Sequence, residues 1–216
     1  RGLGDVYKRQ MKHDEWIAHI KTLGGERKYV EPAKGTVNPR VFIDRLAKKM
    51  PANVTVVADV GQNQIWTCTE YKFRKEGRLL TSGGMGTMGY SVPAAIGAKM
   101  ADDSRATVAI CGDGAFQMSF MELATAVQFG VDIKVVVMTN NRLGMVRELQ
   151  TNGYHDRQTA VFLDGSPDFI KLAEAYGIPA MRVYDDDTME KGVEMLAEHK
   201  GICLVEVVVD KDMPTL

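Results

Sequence analysis

The residues best suited to chemistry are Asp113 and Asn140, a carboxylate inside Gly112-Asp113-Gly114 and a carboxamide opening Asn140-Asn141, 27 positions apart. Each follows a short run of Val, Ile and other apolar residues, which places each at the end of a buried strand. The stretch between them has room for one helical crossover, so the two strands are expected to be parallel neighbours. Neighbouring strands lie about 4.8 Å apart, a gap that one divalent cation bridges with ligands at about 2.1 Å each. Carboxylate and amide oxygens are hard donors suited to Mg2+. Gly112 and Gly114 remove side chains where a phosphate would approach the backbone, and the next helix turns its first N–H groups toward anionic oxygens. The combination reads as a clamp for a metal-bound diphosphate. Taken singly, Gly-Asp-Gly is also a tight turn and Asn-Asn a loop, and Asn141 stays open as the alternative ligand.

Two further clusters follow strand candidates. Val60-Gly61-Gln62-Asn63-Gln64-Ile65-Trp66 comes directly after the apolar run 54–58. Its three consecutive polar residues suit either a ligand contact or an ordinary first helical turn. The second cluster, 81–90, carries Gly83, Gly84, Gly86 and Gly89, four glycines in seven positions around Met85 and Met88. Such a backbone runs close against a flat ligand. A flexible surface loop is the alternative, and Pro93 with the small residues of 94–98 argues for tight packing instead.

The elements that must position these groups are legible as runs. Continuous apolar, Val- and Ile-rich stretches at 54–58, 106–111, 133–138 and 202–209 predict strands buried on both faces, with weaker candidates at 78–81 and 180–183. Between them, helical spacing predicts helices over 62–71, 90–100, 120–129, 167–176 and 188–200. Asn38-Pro39 is a cap-then-first-turn signature for a helix that stops at Pro51, and Trp16, Ile17 and Ile20 suggest a short lead-in helix over 14–22. The predicted fold class is α/β, a doubly wound, mostly parallel sheet with helices on both faces, where ligands gather outside the carboxyl ends of the strands. Residues 1–10 have no period and read as a non-native leader, 11–37 as a lead-in helix and linker, and 38–216 as the binding domain.

Composition narrows the class further. With 216 residues, 45% hydrophobic and 25% charged, at a formal net charge of -1, the chain has a globular balance and no basic field to gather nucleic acid. Cys68, Cys111 and Cys203 are three in number and far apart, which argues against a disulfide framework or zinc site and for a reducing compartment. No apolar run approaches the roughly 20 residues of a membrane span. The expectation is a cytoplasmic protein with neither nucleic acid nor membrane as partner.

From Asp59 to about Asp210 the chain resembles acetolactate synthase (acetohydroxyacid synthase) large subunits, most closely over 112–150. The resemblance implies thiamine diphosphate and Mg2+ as cofactors, with Asp113, Asn140 and the backbone carbonyl of Arg142 as metal ligands. It assigns Gly61, Gln62, Asn63 and Gln64 to the diphosphate, where the family commonly has histidine at the position of Asn63. Asparagine keeps the hydrogen bonding and loses the titration. Met88 becomes the wedge that bends the cofactor's two rings, and Gly86, Ala115, Leu143, Gly144 and Met145 join the cofactor contacts. Met145, Val146 and Leu149 are implied to line the substrate pocket, with Leu149 where biosynthetic members usually carry tryptophan. The segment Gly144-Met145-Val146-Arg147 sets this family apart from simple 2-oxoacid decarboxylases.

The implied reaction decarboxylates pyruvate and joins its two-carbon unit to a second 2-oxoacid, pyruvate or 2-oxobutyrate, in branched-chain amino-acid biosynthesis. The family's activating glutamate stands on the pyrimidine-binding domain of a second subunit. Nothing in this sequence resembles that domain, so the catalytic list here is empty, and Glu15, Glu26 and Glu31 read as solvated charges. The resemblance also leaves room for a regulatory small subunit, and for FAD in the full-length enzyme rather than on this part alone. Two other readings stay open: another thiamine-diphosphate enzyme, such as a 2-oxoacid decarboxylase or glyoxylate carboligase, and a non-enzymatic phosphate-binding module.

Overall fold

The computed structural model describes residues 13–23 and 29–216. The leader at 1–10 and Glu26 lie outside the described residues. In chain order the elements are α1 (Asp14–Leu23), α2 (Pro39–Lys49), β1 (Thr55–Ala58), α3 (Gln62–Glu70), β2 (Arg78–Thr81), α4 (Ser91–Ala101), β3 (Thr107–Gly112) and α5 (Asp113–Gln117). A 3-10 turn (Phe120–Glu122) leads to α6 (Leu123–Gln128), then β4 (Lys134–Thr139), α7 (Gly144–Gly153), α8 (Phe169–Ala175), β5 (Ala180–Val183), α9 (Asp186–Glu198) and β6 (Cys203–Val208).

The sheet runs β2-β1-β3-β4-β6-β5 and every pairing is parallel. Both weak strand candidates are its edges, which explains their mixed burial: an edge strand has less apolar surface to hide than a central one. The central β1, β3, β4 and β6 are buried almost throughout, as parallel strands between two helical layers must be. On one face Phe42, Leu46, Trp66 and Leu196 from α2, α3 and α9 cover Val56, Ile110 and Val205. On the other, Val92, Phe116, Leu123 and Phe169 cover Val57, Ala109 and Val137. The Phe116 and Phe169 rings meet edge to face at 5.4 Å, a geometry worth about 0.5–1.5 kcal/mol beyond burial.

Caps set several boundaries. Asn38 accepts from the N–H of Arg40 and Val41, with Pro39 in the first turn, as the sequence suggests. Asp185 and Thr188 form a reciprocal capping box that starts α9 at Asp186, two residues before the expected 188. The single helix expected over 120–129 is a 3-10 turn followed by α6, and α5 and α7 are helices beyond those the periodicity predicts. The lead-in helix α1 exists, but none of its residues is buried.

From β1 the chain crosses to β2 on one side, and from β3 it moves to β4 on the other. The strand order therefore reverses between β1 and β3, and their carboxyl ends open the crevice where doubly wound sheets bind ligands. No described helix is long and apolar enough to cross a membrane.

Candidate functional site

At that reversal a cleft opens, lined from the end of β1 by Gly61, Gln62 and Asn63, from β3 by Gly112, Asp113, Gly114 and Ala115, and from β4 by Asn140 and residues 142–146. Met88 closes one side of it. The register pairs Gly112 with Met138, so Asp113 and Asn140 leave neighbouring strands side by side.

Asp113 is 1% exposed. Its Oδ2 accepts from the N–H of Asn140 at 3.1 Å and of Asn141 at 2.7 Å, and its Oδ1 from its neighbour Gly114 at 2.8 Å. Burial nevertheless wins, pushing the carboxyl up to about 6 against those N–H bonds. A buried carboxylate whose charge is met only by amide dipoles gains from a cation placed beside it. Asp113 and Asn140, which both line the cleft, carry hard oxygen donors, and among the described residues no group of three or more His, Cys, Asp or Glu offers a site for a softer metal. The donor set fits Mg2+.

Asn141 adopts a left-handed backbone, φ 54°, which asparagine tolerates and which folds the chain back over the Asp113 carboxylate. Asn140 lines the cleft and Asn141 does not. The Arg142 guanidinium points away, bonded to Asp164 at 2.6 Å and lying 4.7 Å from the Phe162 ring centroid, so Arg142 has only its backbone to offer the cleft.

Glycines hold the space open. A Cβ on Gly114 would come within 2.8 Å of Leu143 Cδ2 and 3.4 Å of Met88 Cε, and one on Gly112 would lie 3.4 Å from Asn63 Oδ1. At Gly144 it would sit 1.9 Å from Gln62 Oε1.

Other predicted residues are placed differently from one another. Asn63 lines the cleft but donates to the carbonyls of Asp59 and Ile110, fastening β1 to β3 instead of offering N–H groups to an anion. Gln64 lies outside the cleft, its amide on Thr81 Oγ1. Gly86 is in the exposed part of the glycine-rich loop, where Gly83, Gly84 and Gly86 have open space beside them and Met85 is 90% exposed. Met145 and Val146 line the cleft, whereas Leu149, 61% exposed, faces solvent on α7 and neither lines the cleft nor packs in the core. Replacing Leu149 with tryptophan should therefore change stability by less than about 0.5 kcal/mol in a denaturant melt.

Asp59 escaped the motif reading. Fully buried at the end of β1, it accepts from Val60, Gly89 and Ser91 N–H, so it anchors the end of the glycine-rich loop next to Met88. A carboxylate interrupting an apolar run was the available signal.

Fold and site together define a doubly wound protein with a ligand cleft at its strand-order reversal. Residues 59–207 match the model of the thiamine pyrophosphate enzyme, C-terminal TPP binding domain, and the chain belongs to that family. It is 39% identical over 185 residues to the mitochondrial acetolactate synthase catalytic subunit of Aspergillus candidus, covering 84% of this chain and 26% of that protein. It is 38% identical over 181 residues to the acetolactate synthase large subunit of Lactococcus lactis, covering 84% and 31%. With the acetolactate synthase isozyme 2 large subunit of Escherichia coli it shares 33% over 199 residues, 91% of this chain and 36% of that one. The chain thus spans about a third of the length of the curated relatives it matches.

Proposed function

We propose that this chain is the part of an acetolactate synthase that holds the diphosphate end of thiamine diphosphate through one Mg2+, with Asp113, Asn140 and the Arg142 carbonyl as the protein's ligands. The observation that carries the reading is Asp113, a buried carboxylate pushed up to about 6, beside Asn140 on the neighbouring strand end. Gly61, Gly112, Gly114 and Gly144 leave the backbone bare where the diphosphate lies, and Ala115, Leu143 and Met145 with Met88 give the cofactor's rings an apolar wall. When bound, thiamine diphosphate supplies the carbanion chemistry that a protein side chain cannot. The chain's own residues bind it, orient it and exclude water.

In the whole protein the substrates are pyruvate and a second 2-oxoacid, the product serves branched-chain amino-acid synthesis in the cytoplasm, and the cofactor's other ring is met by the pyrimidine-binding domain of a second subunit. A regulatory small subunit and FAD belong to that larger assembly. The likeness to large and catalytic subunits named acetolactate synthase supports the reaction.

Calorimetry of the whole protein with thiamine diphosphate and Mg2+ should give saturable binding that ATP does not displace, and Asn140→Ala should weaken it at least about tenfold, about 1.4 kcal/mol. Displacement by ATP, or equal affinity in the variant, would sink the clamp. Leu149 faces solvent on this chain, so it meets the acceptor only where the second subunit closes over α7; on that whole protein Leu149→Trp should raise the share of product formed from 2-oxobutyrate over pyruvate, since an aromatic face adds contact area for the larger acceptor. Equal product ratios in a competition assay would leave Leu149 without a role in acceptor choice.

A further inference from the structure

Gln62 is 4% exposed, and both ends of its carboxamide are committed. Its Nε2 lies 3.3 Å from Glu148 Oε2, 3.0 Å from the Met213 carbonyl and 3.0 Å from Thr215 Oγ1. The carboxylate and the carbonyl are acceptors only, and the Thr215 hydroxyl spends its proton on Glu148, so toward Gln62 all three accept. The NH2 end of Gln62 must face them. Its Oε1 is thereby turned the other way, where it accepts from Asn140 Nδ2 at 3.2 Å. That bond and the Arg142 N–H together orient the second carboxamide: Asn140 Oδ1 faces away from Gln62 and accepts from the Arg142 N–H at 3.0 Å, with a lone pair to spare.

The arrangement is held from outside the cleft. The Thr215 N–H donates to both Glu148 oxygens, at 3.2 and 3.3 Å, Arg40 donates to the Thr215 carbonyl at 2.8 Å, and Trp66 Nε1 to that of Pro214 at 3.1 Å. Gly144 leaves the two carboxamides room to meet, since its Cβ would lie 1.9 Å from one and 3.1 Å from the other.

We propose that Glu148, through Gln62, decides which atom of Asn140 faces the cation, and is a positioning residue for metal binding. This rests on the reading of Asn140 as a ligand. With Glu148→Gln the acceptor becomes an amide that can also donate, so only the Met213 carbonyl still requires the NH2 end of Gln62 and only the Arg142 N–H still selects Asn140 Oδ1; the orientation is held less firmly, and the turned-over form presents N–H groups where the metal needs oxygen.

The test is Mg2+ titration of the whole protein at fixed thiamine diphosphate, read by calorimetry, with thermal midpoints taken without cofactor. Glu148→Gln should raise the half-saturating Mg2+ concentration by about tenfold or more, the usual range for a partner of a metal ligand. In the Asn140→Asp background both terminal atoms are oxygen and orientation no longer matters, so there Glu148→Gln should cost less than about twofold. An equal loss in both backgrounds, or no loss in either, would overturn the proposal. Should Glu148→Gln fail to fold, Thr215→Val with Thr215→Ser as its rescue carries the same comparison. If Asp113→Asn also left Mg2+ binding unchanged, the clamp itself would fall, and this proposal with it.

Discussion

Asp113→Asn should flatten the pH dependence of the metal-free protein's stability between pH 4 and pH 7 while weakening Mg2+-dependent cofactor binding at least about tenfold. Burial lifts the Asp113 carboxyl from 3.8 to about 6, so the folded state holds its proton more tightly than the unfolded chain does. The resulting stability is fully present below about pH 4 and is lost as pH rises through 6. Above that range the buried charge costs about 3 kcal/mol. Asparagine keeps the size and one acceptor oxygen and removes the charge. Denaturant melts in chelator should therefore show the wild type losing about 3 kcal/mol relative to Asp113→Asn between pH 4 and pH 7. Parallel pH profiles for the two proteins would refute the assignment. With Mg2+ and thiamine diphosphate present the wild type should gain stability that Asp113→Asn does not, because a cation beside the carboxylate favours its charged form. Wild-type cofactor affinity should also fall as pH drops below about 6, where protons compete with the metal for Asp113.

The second large effect is expected from Gly144→Ala. An added Cβ would stand 1.9 Å from Gln62 Oε1, and Gln62 cannot retreat without breaking its bonds to Glu148, Met213 and Thr215. Overpacking of this kind costs about 1–3 kcal/mol, and here it also pushes Gln62 against Asn140. Both the thermal midpoint and Mg2+-dependent thiamine diphosphate binding should fall. Gly114→Ala is the matched control: its Cβ at 2.8 Å meets the end of the Leu143 side chain, which can rotate away, so its stability loss should be clearly smaller. A Gly144→Ala protein with wild-type melting and cofactor affinity would show that the Gln62 carboxamide is not held as described.

By itself the sequence determined the class of fold and the neighbouring strand ends that carry Asp113 and Asn140. Strands buried on both faces must be short, continuous and rich in Val and Ile, so β1, β3, β4 and β6 announced themselves within one or two residues of their ends. A ligand at the ends of two neighbouring strands needs its parts one crossover apart, which is why Asp113 and Asn140 were recognisable together. The short α5, five residues with a glycine inside, and α7, which begins at Gly144 without a side-chain cap, lacked any such mark, because packing and not propensity holds them. The resemblance implied Leu149 in the substrate pocket, but a family position does not tell which way a helix face turns, and here Leu149 faces solvent. Only the tertiary structure brought Gln62 against Glu148 and Thr215, 86 and 153 positions away, and Asp59 against Gly89 and Ser91. Contacts across such distances depend on where whole elements dock, and no local pattern of residues encodes that; periodicity and spacing place Asp113 and Asn140 on neighbouring strand ends, while the residues that surround them meet only once the chain has closed on itself.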